Sequence, residues 1–427
     1  MSVARERAVG APGVALPLHL ALVEPDGGGH HFALHVRAIA AEAVRRGWRI
    51  TLLTTAAAMR HPAYDVVRDE SGAALTTALL PDSAVKRHEP RLLRGLVHEA
   101  RRWRAFRAAT TDVLAPAAVD AAYVGSLEQT ARLFALRGSP FGSIPFAGMY
   151  TKVRFHHRRM GVRSRIGPRA RVIEAALFPR LLAIPTLRAV AVLDEPLMKW
   201  TRMQAAPSWR KLVFVRDGSG LRAHPERARA RAALGIAPEQ LIVLVYGTLE
   251  VRKGVPQLVA ALADRRMPTT VAMLAAGRQN PFARAVLAAE PAASLRSQGR
   301  LYEDPEFLDD AREALVCAAA DIVWIAYRDF DAMSGVMVQA ADVGLPCLAC
   351  DRGLIGWNVA RHGLGVVVDS SRHDAVVEGL LRLVGDAELR RAYGERGRVF
   401  AAGRTVENFG AGICDAVVRT VTESSPR

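Results

Sequence analysis

The stretch LIVLVYGTLEVRKGVPQLVAALADR, residues 241–265, contains one repeating unit of an α/β fold. It starts with the apolar run LIVLVYG, passes through a glycine-containing turn and ends in VPQLVAALADR, whose proline suits the first turn of a helix. The same order recurs at TVAMLAAG (270–277), DIVWIAY (321–327), PCLAC (346–350) and LGVVVD (364–369). Because continuously apolar strands are buried on both faces, the carboxyl half predicts a parallel sheet covered by helices.

The amino half repeats this order. LHLALVE (18–24) precedes a glycine turn and a helical segment, and the apolar runs WRITLLTT, AAYVGS, IPFAGMY and AVAVLDE follow. Two such series predict an α/β protein with two Rossmann-like, doubly wound parallel-sheet domains. We place these domains at 14–207 and 208–402, with a linker near AAPSWRKL (205–212). The spacing of apolar residues in 403–427 predicts a terminal helix.

Composition limits the class of protein. With 427 residues, half of them apolar, the chain is long enough for two globular domains. The four cysteines do not suggest a disulfide scaffold, so we read the protein as cytoplasmic and reduced. VALPLHLALV (14–23) could pass for a signal peptide, but it lacks a small-residue cleavage site and we read it as the first strand. No uninterrupted apolar run reaches the roughly 20 residues of a membrane span.

The chain is strongly basic, with 58 Lys and Arg against 42 Asp and Glu and a net charge of +16. This charge favours anionic partners, although a GC-rich genome would produce the same arginine bias without functional meaning. Basic residues concentrate in RLLRGLVHEARRWRAF (91–106) and in RFHHRRMGVRSRIGPRAR (154–171). One interpretation is that the first segment is an ordinary amphipathic helix and the second a solvated loop. The other is that they bind a phosphorylated acceptor, or anionic lipid at the inner face of the membrane. Nucleic acid is disfavoured, because no DNA-reading motif is present.

The turn after the first strand is rich in glycine. Asp26 is followed by Gly27, Gly28 and Gly29, and a helical segment begins directly afterwards. Glycines allow a ligand to approach the backbone, and the start of a helix offers free N–H groups, so we favour ligand contact over a mere tight turn. The spacing G-x-G-x-x-G is absent, which argues against a nicotinamide dehydrogenase.

Two cations occupy the corresponding turn of the carboxyl half. Arg252 and Lys253 come directly before Gly254 and a predicted helix. The amino end of a helix already carries positive partial charge, so two further cations there are best explained by a bound anion. A solvated surface pair is the alternative.

The segment DFDAMSGVMVQAADVGLP, residues 329–346, follows the buried run DIVWIAY. Ser334 suits the N-cap of a helix that ends near Gly344. The N–H groups of Gly335 and Val336 would then be free to receive phosphate oxygens. Gln339 lies one turn further along, where its amide either meets a sugar hydroxyl pair or is a satisfied buried amide.

Several of these residues carry a family resemblance that covers nearly the whole chain. In the amino half it rests on the glycine-rich turn, the helix and RGWRITLLTT. In the carboxyl half it rests on a glycine six residues before Lys253-Gly254, on LAAG followed by SQGRLYEDPEFLDDA, and on QAADVGLPCLACDRGLIGWNVARHGLG. The sequence resembles retaining glycosyltransferases of group 1, or family 4, which have the GT-B fold of two Rossmann-like domains facing a cleft.

The resemblance implies a nucleotide-diphosphate sugar as donor and a hydroxyl acceptor that is a glycan, a lipid-linked molecule or a small molecule. It places Lys253 and the N–H groups of Gly335 and Val336 at the diphosphate, Asp331 beside the transferred sugar and Gln339 at the ribose. Gly28 and Gly29 would lie near the reacting phosphate, and the final helix would return to the amino-terminal domain. Transfer in the family is usually described as retaining and needs no metal or further cofactor.

The sequence departs from the family pattern at several positions. Thr248 stands where the family has a diphosphate-binding arginine, and Arg252 is the cation that could compensate. The two glutamates of the family, which have seven residues between them, are Asp331 and Gln339 here, and Tyr150 stands near the place of a histidine. Two alternatives follow: a metal-dependent transferase that chelates through Asp329 and Asp331, and a catalytically silent protein that binds sugar nucleotides.

Overall fold

The computed structural model describes residues 17–28, 31–85, 92–221 and 225–422. The strands of this part of the chain are β1 (His19–Val23), β2 (Arg49–Thr55), β3 (Leu75–Leu80), β4 (Ala121–Val124), β5 (Phe146–Met149), β6 (Leu187–Val192), β7 (Leu212–Phe214), β8 (Leu241–Tyr246), β9 (Val271–Ala276), β10 (Leu301–Asp304), β11 (Ile322–Ile325), β12 (Cys347–Cys350) and β13 (Gly365–Val368). The α-helices are α1 (Arg37–Arg45), α2 (Ala56–Met59), α3 (Pro62–Ser71), α4 (Leu92–Ala109), α5 (Ala131–Arg137), α6 (Pro168–Leu182), α7 (Glu195–Thr201), α8 (Arg227–Ala233), α9 (Val255–Leu262), α10 (Pro281–Ala288), α11 (Ala292–Ser297), α12 (Asp310–Ala319), α13 (Gly335–Asp342), α14 (Gly353–His362), α15 (His373–Gly385), α16 (Ala387–Ala401) and α17 (Val406–Thr422).

The strands form two parallel sheets. The first has the order β3-β2-β1-β4-β5-β6-β7 and the second the order β10-β9-β8-β11-β12-β13. Strands β1, β4, β8, β9, β11 and β12 are almost wholly buried, as expected for sheets with helices on both faces. The prediction of two doubly wound parallel-sheet domains is confirmed. The strand order reverses between β1 and β4 and between β8 and β11, and ligands of such sheets bind at these points.

The boundary between the domains lies later than the sequence indicated. Strand β7 pairs with β6 through Val190 and Leu212, so the first sheet extends beyond residue 207. The predicted linker at 205–212 is instead a 3₁₀ turn, Pro207–Lys211, that leads into this strand. Three residues are too few to show a hydrophobic period, and pairing with β6 is what makes them a strand.

The chain passes between the domains twice, and the two passages touch. Ser219 N donates to Arg404 O at 2.8 Å, and Gly218 packs so closely on the Thr405 backbone that a side chain there would collide with it. Beyond this point α17 packs against α1, where Gly410 lies against the Ala38 carbonyl. Across the described ranges, no helix combines the length and the apolar character needed to cross a bilayer.

Candidate active site

A cleft of about 550 Å³ lies between the two domains at the carboxyl ends of their strands. Residues of the amino-terminal domain that line it include Gly28, His35, Ser126, Glu128, Lys152 and Asp217. Residues of the carboxyl-terminal domain that line it include Glu250, Arg252, Phe330, Met333, Gly335 and Gln339. The predicted donor residues Gly28, Arg252, Gly335 and Gln339 therefore meet in one cleft, as the strand-end rule requires.

The glycine turn is held in place by a buried ion pair. Arg102 of α4 donates to Asp26 Oδ2 and to Ala84 O, both at 2.6 Å, and is 1 % exposed. A side chain at Gly27 would lie within 3 Å of Ala58, whereas one at Gly28 would meet no atom within 4 Å. Gly27 is thus required by packing, while Gly28 leaves the cleft open to a ligand. Gly29 lies outside the described residues.

The loop after β8 contains Arg252 and Lys253, and we call it the cationic loop. It presents one of these two cations to the cleft. Arg252 lines the cleft, pairs with Glu250 and packs over the rings of Tyr327 and Phe330 at 5.4 and 5.0 Å. Thr248, predicted to contact the donor, is exposed. Arg252 is therefore the charged group of this loop best placed to meet a ligand in the cleft.

Lys253 lies beneath Arg252 and is 3 % exposed. Its Nζ donates to Tyr246 O at 2.8 Å and to Tyr327 Oη at 2.6 Å. Burial, reinforced by the charge of Arg252, holds the pKa of Lys253 well below its usual range. The ammonium form lacks a carboxylate partner in these contacts, and an anion beside it would raise its pKa.

The loop before α13 is engaged by the amino-terminal domain. We call residues 161–166 the strap. Ser164 of the strap donates to Asp331 Oδ2 at 3.0 Å, and Arg165 pairs with Asp329 at 2.8 Å. Arg163 pairs with Asp351 at 2.6 Å. The segment 154–171, interpreted as a solvated loop or a lipid contact, thus contains an interdomain connection, and lipid attachment stays a prediction.

The helix α13 begins at Gly335 with Ser334 as its N-cap, as the sequence predicts. Ser334 has the extended backbone angles of an N-cap, although its side chain forms no hydrogen bond to an N–H group of the helix. Its hydroxyl lies beside the Tyr327 phenol instead. The first backbone bond of the turn runs from Met337 N to Ser334 O, which leaves the N–H groups of Gly335 and Val336 for other acceptors.

Gln339 belongs to a buried polar network as well as to the cleft wall. Its Oε1 accepts a hydrogen bond from Tyr246 Oη at 2.9 Å, and its side chain also contacts the carboxyl of Glu313. A glutamate at this position would put a second carboxylate against Glu313, and like charges so close are costly. The amide satisfies both neighbours, which gives a physical reason for glutamine here.

Replacement of Gln339 by alanine is expected to lower the free energy of unfolding by about 1–3 kcal/mol, because the buried Tyr246 hydroxyl loses its acceptor. Chemical denaturation measures this change. Tyr246→Phe removes the donor of the same bond and is the matched control, since the double variant should cost less than the sum of the two. An unaltered stability with a tenfold weaker donor affinity would assign Gln339 to the ribose alone.

Glu313 supplies a pH-dependent test of the same network. Burial, together with the charge of Asp310, raises its pKa from 4.5 to about 7. The folded protein holds the proton of this carboxyl more tightly than the unfolded chain does, so ionisation destabilises the fold. The contribution of Glu313 to the free energy of unfolding therefore declines as pH rises from 4.5 to about 7. At pH 8 we expect the free energy of unfolding of Glu313→Gln to exceed that of the wild type by about 2 kcal/mol, a value reduced because the side chain is partly exposed. Near pH 4 the two proteins should be equally stable. The exposed Glu378, changed to glutamine, should show no such pH-dependent difference.

Other cleft residues had no signal in the sequence. Asp217 lies where the chain passes between the domains, and burial raises its pKa to about 6 against the opposing charge of Arg404. Glu128 accepts a hydrogen bond from the Thr151 hydroxyl at 2.6 Å. Tyr150 is buried against Phe178 at a ring distance of 5.2 Å and does not line the cleft, whereas Lys152, two residues later, does.

The carboxyl-terminal domain matches a known family. Residues 226–400 fit the model of glycosyl transferases group 1. The carboxyl-terminal domain is therefore similar to the glycosyl transferases of group 1. The matched range contains β8 to β13 with the cationic loop, the Asp329–Asp331 loop and α13, so it covers one whole wall of the cleft.

Similar proteins extend the comparison to the amino-terminal domain. The D-inositol 3-phosphate glycosyltransferase of Nocardia farcinica is 30 % identical over 225 residues, which are 50 % of this chain and 47 % of that protein. The chain thus spans about half the length of this relative. Sucrose-phosphate synthase from Thermosynechococcus elongatus superposes with a TM-score of 0.67 at 17 % identity over 93 % of this chain and 98 % of that one. Anabaena HepE, solved in complex with UDP and glucose, superposes with a TM-score of 0.63 at 14 % identity. The superposition covers 94 % of this chain and 99 % of that one. These likenesses confirm the GT-B arrangement of the group 1 domain and its partner domain.

Proposed function

We propose that the protein is a glycosyltransferase that moves a sugar from a nucleotide-diphosphate donor to a hydroxyl acceptor, with retention of the anomeric configuration. The observation that carries this proposal is the meeting of Gly28, Arg252, Gly335 and Gln339 in one cleft between two doubly wound domains. The group 1 match of residues 226–400 supports a sugar-nucleotide donor on the carboxyl-terminal side.

The donor diphosphate would lie between the cationic loop and the start of α13. Arg252 would pair with its oxygens from the cleft wall, and the N–H groups of Gly335 and Val336 would donate to them. Lys253 would add its charge from below, provided that it exchanges a present hydrogen bond for a phosphate oxygen. Gly28 opposes this position from the amino-terminal domain without a side chain to obstruct the sugar.

The transfer itself breaks the bond between the anomeric carbon and the phosphate oxygen and forms a bond from that carbon to the acceptor oxygen. The departing phosphate takes the hydroxyl proton, so no separate base or metal is required. Asp331 would have to release Ser164 before it could meet the sugar, because its Oδ2 now accepts that hydroxyl. Opening of the strap is therefore part of the proposed cycle.

Thermal melting with a panel of nucleotide sugars tests the donor proposal. A donor at 100 times its dissociation constant should stabilise the fold by about 2.7 kcal/mol. Arg252→Gln is the matched variant, because it removes the cation of the cleft wall and should reduce the shift. A panel without any stabilising donor would contradict the proposal.

Turnover separates the transferase from its two alternatives. Acceptor candidates should include D-inositol 3-phosphate, the compound that appears in the name of the Nocardia relative. Simple glycans and lipid-linked sugars should be tested as well. Donor binding without transfer or hydrolysis would favour the silent binding protein. Turnover that requires added Mg²⁺ or Mn²⁺, and that zinc does not restore, would favour metal binding by Asp329 and Asp331, whereas we expect activity to persist without these two ions.

A further inference from the structure

A second group of functional side chains lies behind the cleft wall, in the amino-terminal domain. His156 and His157 follow β5, and Asp194 follows β6. All three are buried, with exposures of 0, 1 and 3 %. Among the described residues they form the one group of three or more His, Cys, Asp or Glu side chains whose ligand atoms all lie within 4.8 Å of one another.

The imidazoles of this group are short of partners. The two Nε2 atoms face the same oxygen, Asp194 Oδ2, at 3.1 Å from His156 and 3.7 Å from His157. None of the four ring nitrogens forms a hydrogen bond of acceptable geometry. Buried polar atoms without partners are rare and costly, so two adjacent histidines in this condition require an explanation.

Two of the three distances in this group, those from each imidazole to the Asp194 carboxylate, suit ligands of one metal ion. With bonds of about 2.0–2.1 Å, two ligands of a tetrahedral zinc ion lie about 3.3 Å apart. The separations of 3.1 and 3.7 Å lie on either side of this value. Two imidazole nitrogens and a carboxylate oxygen are a donor set that zinc and similar divalent transition metals bind.

The carboxylate is also oriented as a ligand. Asp194 Oδ1 accepts a hydrogen bond from Leu197 N at 2.8 Å, at the start of α7. This bond leaves Oδ2 directed at the two histidines, and outer hydrogen bonds of this kind commonly fix metal ligands.

We propose that His156, His157 and Asp194 bind a divalent transition-metal ion, with zinc the preferred one. The ion would join the segment after β5 to the end of β6. Lys152 and Leu193, close in sequence to these ligands, line the cleft, and Val162 N of the strap donates to His157 O at 2.9 Å. The ion therefore holds the cleft wall and the root of the strap, and it takes no part in the metal-independent transfer.

Metal analysis of the full chain, purified without a histidine tag and dialysed against zinc on the order of micromolar, tests the site. We expect about one zinc per wild-type chain and about tenfold less in His157→Gln and in Asp194→Asn. Asp194→Asn keeps the Oδ1 acceptor for Leu197 and changes only the charge of the ligand. His373→Gln is the control, because His373 pairs with Asp264 at 2.8 Å on the surface and should leave the zinc content unchanged.

Wild-type protein alone also decides the question, should the variants fail to fold. Removal of zinc by a strong chelator should lower the melting temperature, and zinc should restore it. Cobalt added to the stripped protein should produce the visible absorption of a tetrahedral site. A zinc content below about one tenth per chain, with no change in melting temperature on adding zinc, would overturn the proposal and leave a buried histidine–aspartate pair.

Discussion

Arg102→Met is expected to lower the free energy of unfolding by about 3–5 kcal/mol, the largest effect on stability that we predict. Arg102 and Asp26 are both buried, so loss of the guanidinium removes a cationic partner from a carboxylate that stays in the interior beside the glycine turn. Ala84 O also loses its donor. Unfolding in denaturant measures the change, from the transition in which the amino-terminal domain unfolds.

The neighbouring Arg101 provides the control for this variant. It lies on the same helix but is exposed, so Arg101→Met should change the stability by less than about 0.5 kcal/mol. The double variant Arg102→Met, Asp26→Leu should recover part of the loss, because it removes both charges from the interior. Equal stability of Arg102→Met and Arg101→Met would show that the ion pair contributes nothing.

Lys253→Met is expected to weaken binding of the sugar-nucleotide donor by about 1.5–3 kcal/mol, or about 10- to 150-fold. A charge-assisted hydrogen bond to the diphosphate is lost, while methionine keeps the apolar packing. Because Tyr246 O and the Tyr327 hydroxyl also lose a donor, the variant should melt at a lower temperature. Calorimetry well below that temperature measures the affinity of the folded form, and an unchanged dissociation constant would contradict the assignment.

The pKa of Lys253 adds a second signature. In the free protein this pKa lies well below its ordinary value because of burial, and a bound diphosphate would raise it. Between the free and bound pKa values, donor binding should take up a proton, so the affinity should fall as pH rises through that window. Calorimetry in buffers of different ionisation enthalpy detects the uptake, and Lys253→Met should abolish it.

Local patterns in the sequence were sufficient for the architecture. Runs such as LIVLVYG and DIVWIAY are apolar throughout, and a strand of that kind is stable only between two layers of helices. The order of strand, turn and helix then places Gly28, Arg252 and Gly335 at strand ends without further information. The domain boundary was wrong because β7 is defined by its pairing with β6 and has no pattern of its own.

The partners of the site residues depended on tertiary structure. Arg102 lies in a segment that the sequence indicates is an amphipathic helix or a contact with an anionic partner, yet it is buried against Asp26, which lies 76 residues earlier in the chain. Asp331 meets Ser164 across 167 residues, and Gln339 meets Tyr246 across 93.

The sequence by itself thus determined the two sheets, their helices and the strand ends that face the cleft, because hydrophobic periodicity and turn residues act within a few positions along the chain. Only the tertiary structure decided which charges are buried, which polar groups satisfy one another and how His156, His157 and Asp194 converge. These depend on contacts between distant segments, and a hydrogen bond or an ion pair leaves no periodic trace in the sequence of either partner.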